Sequence, residues 1–312
     1  MSDALRPPSV LLIGGPNTGK SHFAFQLYGR LRAQDCTLRL RQTPESVNLF
    51  TEGLACLNSG KAAQHTATGA YIECMLPLSL PDGSSLDLCW PDYGGEQLYQ
   101  QIKARTIDEQ WQRRLLAADG WLLFIRLSLV QLRKDWITSP LSFDLPIAGS
   151  DIEQQRQKEP QGSDSPQLQR NATQSQEDAD LSEQVLLIEL LQMLLYAGHV
   201  DLTERGRRPA LGVVLSCWDE LNVDSAAVPA AVLNDRAPLI AQFIDSHWAP
   251  DSYFIMGSSS TERELSKTTP DQEFLQRGPE HFGYSVNMDG RRDRDFTLPI
   301  VNLLSRLAIN EG

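Results

Sequence analysis

SVLLIGGPNTGKS, at residues 9–21, is the stretch of the chain that decides the fold. Residues 9–13 are mostly apolar and predict a short buried strand, and the two glycines that follow predict a tight loop. From Gly19 to Arg32 apolar residues recur at helical spacing, which predicts an amphipathic helix. A strand that passes through a glycine-rich loop into a helix is the building unit of α/β proteins with a mainly parallel sheet.

The loop itself matches the pattern Gly-x4-Gly-Lys-Ser of the P-loop. Glycines allow successive backbone N–H groups to point at phosphate oxygens, and the N-terminal end of the following helix favours an anion. We expect Lys20 to reach the β- and γ-phosphates and to take part in catalysis, and Ser21 to ligate Mg²⁺. A chance match in an ordinary turn is the alternative. The predicted nucleotide-binding residues are Gly14, Gly15, Pro16, Asn17, Thr18, Gly19, Lys20, Ser21 and His22.

A second candidate site follows the strand predicted at residues 85–90, in the segment Pro-Asp-Tyr-Gly-Gly-Glu at residues 91–96. An acid at the end of a strand beside the P-loop strand can hold Mg²⁺ through a water, and Asp92 fits that role. The N–H of Gly95 can approach the γ-phosphate, which makes it a candidate catalytic group. Asp87 is a rival acid, but it lies mid-strand with no glycine after it. The alternative is a turn that caps the next helix.

Between these two sites lies a small polar segment at residues 61–69, which predicts a loop. Thr66 in this loop is a candidate to close over the γ-phosphate and Mg²⁺, and Thr68 is the alternative residue for this role. A polar loop with no ligand role is the other interpretation.

Strands and helices alternate along most of the chain, which predicts an α/β fold with a mainly parallel sheet and helices on both faces. A hairpin at residues 71–90 adds one antiparallel edge strand. We expect a single domain over residues 1–312, with a polar, disordered insert at about 147–180. The remaining predicted helices lie at about 45–58, 96–117, 181–197, 230–246 and 297–309, and the remaining strands at 121–127, 211–215 and 252–256.

Composition narrows the functional classes. The net charge of −12 argues against a general nucleic-acid surface, because binding the phosphate backbone needs clustered positive charge. No apolar run is long enough to span a bilayer, and no signal peptide is visible. Five scattered cysteines without a CxxC pair indicate free thiols, and hence a cytoplasmic protein.

The order of these motifs resembles the translation-factor-related (TRAFAC) class of P-loop GTPases, which have a Ras-like fold. In that class a fourth motif, Asn-Lys-x-Asp, binds guanine, and here Ser216 and Cys217 stand where Asn and Lys are usual and Asp219 stands in the aspartate position. The resemblance implies that Asp219 accepts hydrogen bonds from the guanine N1 and amine. It also implies that Ser258 or Ser259 forms the last turn of the base site. GTP or GDP with Mg²⁺ is then the expected ligand.

Cysteine cannot stack on a base or brace the P-loop as the usual lysine does, so Trp218 is a candidate to stack instead. Glu96 follows Gly95 where a water-positioning glutamine is common, and Gln97 comes one place later. We therefore predict Glu96 and Gln97 as catalytic residues and expect slow intrinsic hydrolysis. Arg105 or Arg126 could supply an arginine finger, in cis or across an interface, and a structural ion pair is the alternative for each.

The chain is also similar to bacterial GTPase domains of the double-GTPase kind, through its helix before Gly60, the string at residues 92–96 and the segment from Arg105 to Trp111. Such domains are associated with multi-component conflict or defence systems. We expect a regulatory switch that signals to a protein effector or regulator, and a nucleotide-dependent homo-oligomer is open. The insert would contact a partner or modulate access to the switch, or else is a tolerated surface insertion. A P-loop ATPase or nucleotide kinase, and a pseudo-GTPase interaction module, are the alternative functions.

Overall fold

The computed structural model describes residues 6–44, 47–63, 72–92, 95–130, 183–198 and 208–310, with the backbone alone at 72–73, 91–92, 95–99, 183 and 308–310. These residues form one nine-stranded sheet in the order β2-β3-β4-β1-β5-β6-β7-β8-β9. Strands β1 to β9 span Ser9–Ile13, Arg39–Leu40, Ile72–Ser79, Ser85–Asp92, Gly120–Ile125, Ala210–Leu215, Tyr253–Ser259, Tyr284–Val286 and Arg292–Asp293.

The centre of the sheet, from β4 through β1, β5 and β6 to β7, is parallel. The edges are antiparallel, with β2 and β3 on one side and β8 and β9 on the other. Helices α1 to α9 span Lys20–Ala33, Asn48–Asn58, Gly95–Ala104, Glu109–Ala117, Glu183–Ala197, Pro229–Arg236, Pro238–His247, Gln272–Arg277 and Leu298–Asn310. The predicted α/β fold with a mainly parallel sheet is therefore confirmed.

The central strand β1 shows why both faces of the sheet are covered. Its side chains alternate between two buried clusters, with Val10 and Leu12 in one and Leu11 and Ile13 in the other. The first cluster includes apolar side chains of α1, α2 and α9, and the second includes those of α4, α5 and α7. A strand that is apolar on both sides can only be buried between two helix layers, as its sequence predicts.

Two helices predicted as continuous are each broken into two. The helix predicted at 96–117 ends at Ala104 as α3, and Arg105 then takes a left-handed conformation with φ 49° before α4 begins at Glu109. The helix predicted at 230–246 is divided between α6 and α7, because Pro238 has no N–H to continue the first helix and instead starts the second.

The edge elements exceed the prediction. The hairpin places β3 antiparallel to β4 as expected, but β2, β8 and β9 are three further short antiparallel strands, and helix α8 was also not predicted. These elements are two to six residues long, too short to show a clear periodicity. The predicted insert at 147–180 and the predicted loop residues 64–69 lie outside the described residues.

Two buried polar side chains of α1 fasten the C-terminal part of the sheet to the first helix. Gln26 Nε2 donates to the carbonyl of Pro279 at 3.0 Å, and Arg30 Nη2 donates to the carbonyl of Phe282 at 2.9 Å. Both side chains are almost completely buried, so these hydrogen bonds satisfy groups that would otherwise be costly to bury. The helix that follows the P-loop is thus held to the segment that leads into β8.

Candidate functional site

The P-loop lies at the carboxyl end of β1 and passes directly into α1. Gly19 caps the helix in a left-handed conformation, with φ 75° and ψ 2°, and Asn17 is also left-handed with φ 56°. A Cβ at Gly19 would lie 3.3 Å from Cys217 Sγ, a close contact that leaves little room for a side chain. Both the conformation and the contact therefore favour glycine at position 19.

The other end of the loop is packed equally closely against β5. A Cβ at Gly14 would lie 2.9 Å from the carbonyl oxygen of Phe124 and 3.0 Å from Thr18 Oγ1. The Thr18 hydroxyl donates to the carbonyl of Gly15 at 2.9 Å, and the Thr18 side chain is buried. The loop is thus preshaped by its own hydrogen bonds and by its neighbours.

Lys20 turns its side chain back into the loop. Its Nζ donates to the carbonyls of Gly14 at 2.5 Å and Gly15 at 2.7 Å, and it lies 3.3 Å from Thr18 Oγ1. A positive charge is therefore held inside the backbone cradle where the sequence predicts phosphate oxygens. Ser21 and His22 occupy the first turn of α1 and are half-buried.

The predicted base-recognition residues lie on the neighbouring loops. Strand β6 ends at Leu215, and a 3₁₀ helix over Trp218–Leu221 follows. Asp219 Oδ1 accepts a hydrogen bond from Ser259 Oγ at 2.5 Å, and Ser259 Oγ accepts one from the Glu262 N–H at 3.0 Å. The structure thus brings together the fourth and fifth motifs, which are 40 positions apart in sequence.

Of the two candidate serines, Ser259 is the one joined to Asp219. Ser258 is also buried, but its hydroxyl has no hydrogen-bond partner among the described residues. Ser216, at the position where asparagine is usual, is also buried, and its hydroxyl likewise has no hydrogen-bond partner among the residues that the structure describes. The Ser216 N–H donates to the carbonyl of Ile125 at 2.9 Å.

The expectation that Trp218 could stack on a base is wrong. Trp218 is 3% exposed and belongs to the core, and a Cβ at Gly257 would lie 2.6 Å from its ring. Cys217, with φ 51°, occupies the position next to the P-loop instead. Burial raises the pKa of its thiol to about 12, so the side chain is neutral at ordinary pH.

Both candidate arginine fingers are in ion pairs within the chain, which is the alternative that the sequence left open. Arg126 contacts Glu220 through two nitrogens, at 2.9 and 2.5 Å, and its third nitrogen donates to the carbonyl of Asn17 at 3.1 Å. The hydrogen bond to Glu220 raises the pKa of Arg126 above its usual value. Arg105 Nε lies 2.9 Å from Glu189 Oε1, and the Arg105 side chain is 80% exposed.

The position of Asp92 follows from strand register. Leu11 of β1 pairs with Cys89 of β4 in parallel, so three residues further along each chain Gly14 comes level with Asp92 at the carboxyl end of β4. The rival acid Asp87 pairs with Ser9 at the other end and forms a 2.9 Å ion pair with Arg41. Gly95 begins α3. Thr66 and Thr68 lie outside the described residues, as do the side chains of Asp92, Glu96 and Gln97.

These residues fit a nucleoside triphosphate. A narrow backbone loop with an ammonium group inside suits phosphates, and an oriented carboxylate on the adjacent loops suits the donors of a purine base. All of these groups lie at the carboxyl ends of the parallel strands, where ligands bind in open α/β sheets.

Fold and site together define an α/β P-loop NTPase of the GTPase type. The family model Double-GTPase 1 matches residues 11–303, and the chain therefore belongs to this family. The family name indicates guanine-nucleotide binding. No curated protein matches the chain. Among the described residues, no helix combines the length and the apolar character needed to cross a bilayer.

Proposed function

We propose that this chain is a regulatory GTPase that binds GTP and GDP with Mg²⁺, hydrolyses GTP slowly and signals to a protein partner. The observation that carries this proposal is the hydrogen bond between Ser259 and Asp219 beside a P-loop that holds Lys20. We take the first group as the base site and the second as the phosphate site, both at the carboxyl edge of one sheet, where β5 separates β1 from β6.

The phosphate end is assigned to the P-loop and its surroundings. The backbone N–H groups of residues 14–19 and Lys20 would hold the β- and γ-phosphates. The Ser21 hydroxyl and, through a water, Asp92 would hold Mg²⁺, with Thr66 or Thr68 as the ligand from the switch loop. A bound Mg²⁺ supplies positive charge that offsets the charge of the phosphates.

The base end is assigned to Asp219, whose carboxylate would accept hydrogen bonds from guanine N1 and the exocyclic amine. Ser259 holds that carboxylate in place. Ser216 and Cys217 lie against Gly19, between the base loop and the P-loop, and the neutral Cys217 thiol adds no charge there.

Slow turnover is supported by the surroundings of the candidate catalytic groups. Arg126 is paired with Glu220 and Arg105 with Glu189, so the charge of each arginine is already balanced by a carboxylate of the chain. Glu96 and Gln97 are the proposed water-positioning residues, with Gly95 N–H near the γ-phosphate. A protein regulator or a second copy of the chain would then supply the positive charge that accelerates hydrolysis.

A cytoplasmic location belongs to the same proposal. All five cysteines lie among the described residues and are free thiols, which fits a reducing compartment. The proposed partner is a protein, in keeping with the resemblance to domains of multi-component bacterial systems.

The test is a calorimetric titration of the purified chain with GTP, GDP and ATP, each with and without Mg²⁺. GTP and GDP should bind more tightly than ATP. Tighter binding of ATP would replace this proposal with a P-loop ATPase, and binding of no nucleotide would leave an interaction module.

Asp219→Asn tests the base assignment. The amide can still accept from Ser259, so the loop should keep its shape, but it presents one donor and one acceptor in place of two acceptors. GTP affinity should fall by about 100-fold, because two charge-assisted hydrogen bonds are affected, and xanthosine triphosphate should bind better than it does to the wild type. An unchanged order of preference would refute the role of Asp219.

A further inference from the structure

The strand order puts one side chain between the two halves of the site. Strand β5 lies between β1, which leads into the P-loop, and β6, which leads into the base loop at residues 216–221. Arg126 is the first residue after β5, so it emerges between the two loops at the carboxyl edge of the sheet. A side chain at this position can contact the loop on either side.

Arg126 contacts both loops at once. On the P-loop side, Nη1 donates to the carbonyl of Asn17 at 3.1 Å. On the base-loop side, Nε and Nη2 donate to the two carboxylate oxygens of Glu220, at 2.9 and 2.5 Å. Ser128 Oγ donates to the same carboxylate at 2.5 Å and helps to hold it. The planar guanidinium of Arg126 has enough fixed donors to make its three bonds, one to Asn17 and two to Glu220, at the same time.

The contact with Glu220 matters because its neighbour Asp219 is the proposed base-binding residue. Both residues belong to the single 3₁₀ turn Trp218–Leu221. Ser259 holds Asp219 from the side of β7, and Arg126 holds Glu220 from the side of β5. The turn is therefore fixed on both sides, although the residue before it, Cys217, carries no charge.

We propose that Arg126 is a positioning residue that locks the P-loop to the base loop and thereby slows the release of bound nucleotide. The inference rests on the proposed function, since it concerns the same guanine-nucleotide site. A nucleotide would contact the base loop with its base and the P-loop with its phosphates. Both contacts can be made together only while the two loops keep a fixed separation. Without the contacts of Arg126, nucleotide binding itself would have to order the two loops, and this would reduce the affinity.

The lock should act on GTP and GDP alike, because the contacts of Arg126 are with two loops that either nucleotide would span. It should leave the preference for guanine over adenine unchanged, because the bond from Ser259 to Asp219 remains. Most of the effect should lie in the dissociation rate, as is usual for changes that loosen a bound state.

The experiment measures the dissociation rate of fluorescently labelled GDP and GTP from the full chain, with unlabelled nucleotide in excess. Arg126→Ala should release both nucleotides about 10-fold to 100-fold faster, the change expected from losing a charge-assisted hydrogen bond. Arg126→Lys keeps the charge but cannot meet both partners, and Glu220→Gln keeps the shape but not the charge, so both should show intermediate rates.

Arg41→Ala is the matched control. Arg41 forms a 2.9 Å ion pair with Asp87, and the exposed fractions of the two side chains, 35% and 27%, are close to the 24% and 26% of the Arg126 pair. It lies near the β2 edge of the sheet, so its loss should not change either dissociation rate. The unfolding midpoint of each variant without nucleotide measures any general loss of stability.

The proposal is overturned if the wild type binds GDP but the Arg126 and Glu220 variants release it at the wild-type rate. It is also overturned if Arg41→Ala accelerates release equally, or if the rate changes track the loss of stability without nucleotide. If Arg126→Ala does not fold, Arg126→Lys and Glu220→Gln decide the outcome. A wild type that binds no nucleotide would remove the proposed function together with this inference.

Discussion

Replacing Ser259 with alanine tests whether the structure has assigned the correct serine to the base site. Ser259 is completely buried, and its hydroxyl is both a donor to Asp219 and an acceptor from the Glu262 N–H. Alanine removes one oxygen atom and leaves the strand unchanged. The perturbation therefore falls on these two hydrogen bonds.

Two separate losses follow from the geometry. The Glu262 N–H loses its acceptor, and because Glu262 is exposed water can replace it in part, so the free energy of unfolding should fall by about 0.5–1.5 kcal/mol. Asp219 loses the bond that orients its carboxylate, and binding must then order that side chain at about 0.5–1.5 kcal/mol. The second loss corresponds to a decrease in GDP affinity of about 2-fold to 13-fold.

The assay is a calorimetric titration with GDP and with inosine diphosphate, which lacks the exocyclic amine of guanine. Because the proposed role of Asp219 includes accepting from that amine, Ser259→Ala should weaken GDP more than inosine diphosphate. Thermal unfolding without nucleotide measures the loss at Glu262 separately.

Ser258→Ala is the control that the chain itself offers. Ser258 is the neighbouring residue in the same strand and is equally buried, but its hydroxyl has no hydrogen-bond partner among the residues that the structure describes. Its removal should leave GDP affinity unchanged and should not destabilise the fold. If Ser258→Ala weakens GDP as much as Ser259→Ala does, or if Ser259→Ala binds GDP like the wild type, the assignment of Ser259 is refuted.

Two further predictions concern the other end of the site and the support of the fold. Lys20→Ala should lower GTP affinity by about 100-fold or more, and GDP affinity less, because the ammonium is expected to contact both the β- and γ-phosphates. Titration of the variant with both nucleotides measures this difference. A variant that binds GTP with wild-type affinity would show that Lys20 is not part of the phosphate site. Asp295→Asn should destabilise the chain by roughly 2 kcal/mol at neutral pH, because Thr37 and Thr297 each donate to the carboxylate through side chain and backbone. Burial opposes ionisation of Asp295, but these hydrogen bonds outweigh it and lower its pKa. The stabilisation is therefore present above the ordinary aspartate pKa and lost as pH falls through the lowered pKa, and a wild type and variant that lose stability in parallel below about pH 4 would contradict it.

The P-loop could be predicted from sequence because its residues determine both conformation and chemistry. An apolar strand, glycines at the two tight positions and Lys20 at the start of the helix specify the same structure locally. The alternation of strands and helices was similarly sufficient for the mainly parallel sheet.

The breaks within helices differ in how visible they are. Pro238 is a clear sequence signal that one helix ends and another begins. The prediction of a single helix at 230–246 did not take this proline into account. The break at Arg105 is less visible, because arginine is an ordinary helix residue, and the signal lies instead in Asp108, whose side chain caps the start of α4.

The contacts that join distant residues were the least accessible. The family resemblance placed Asp219 and either Ser258 or Ser259 in one base site, but it left the serine open, because that depends on the face of the sheet on which each side chain lies. Arg126 and Glu220 are 94 positions apart, and their contact requires the strand order β1-β5-β6, which composition and periodicity do not determine.

The hydrogen bonds from α1 to the C-terminal segment have a consequence for how the chain is made. Gln26 comes shortly after the P-loop, yet the carbonyl of Pro279 that it binds is synthesised 253 residues later. At ribosomal speeds this delay is on the order of ten to fifty seconds. During that time the P-loop and α1 have already been synthesised, but Gln26 of α1 still lacks the carbonyl of Pro279 as its hydrogen-bond partner. A nascent chain should therefore gain full nucleotide affinity only after Pro279 has been synthesised.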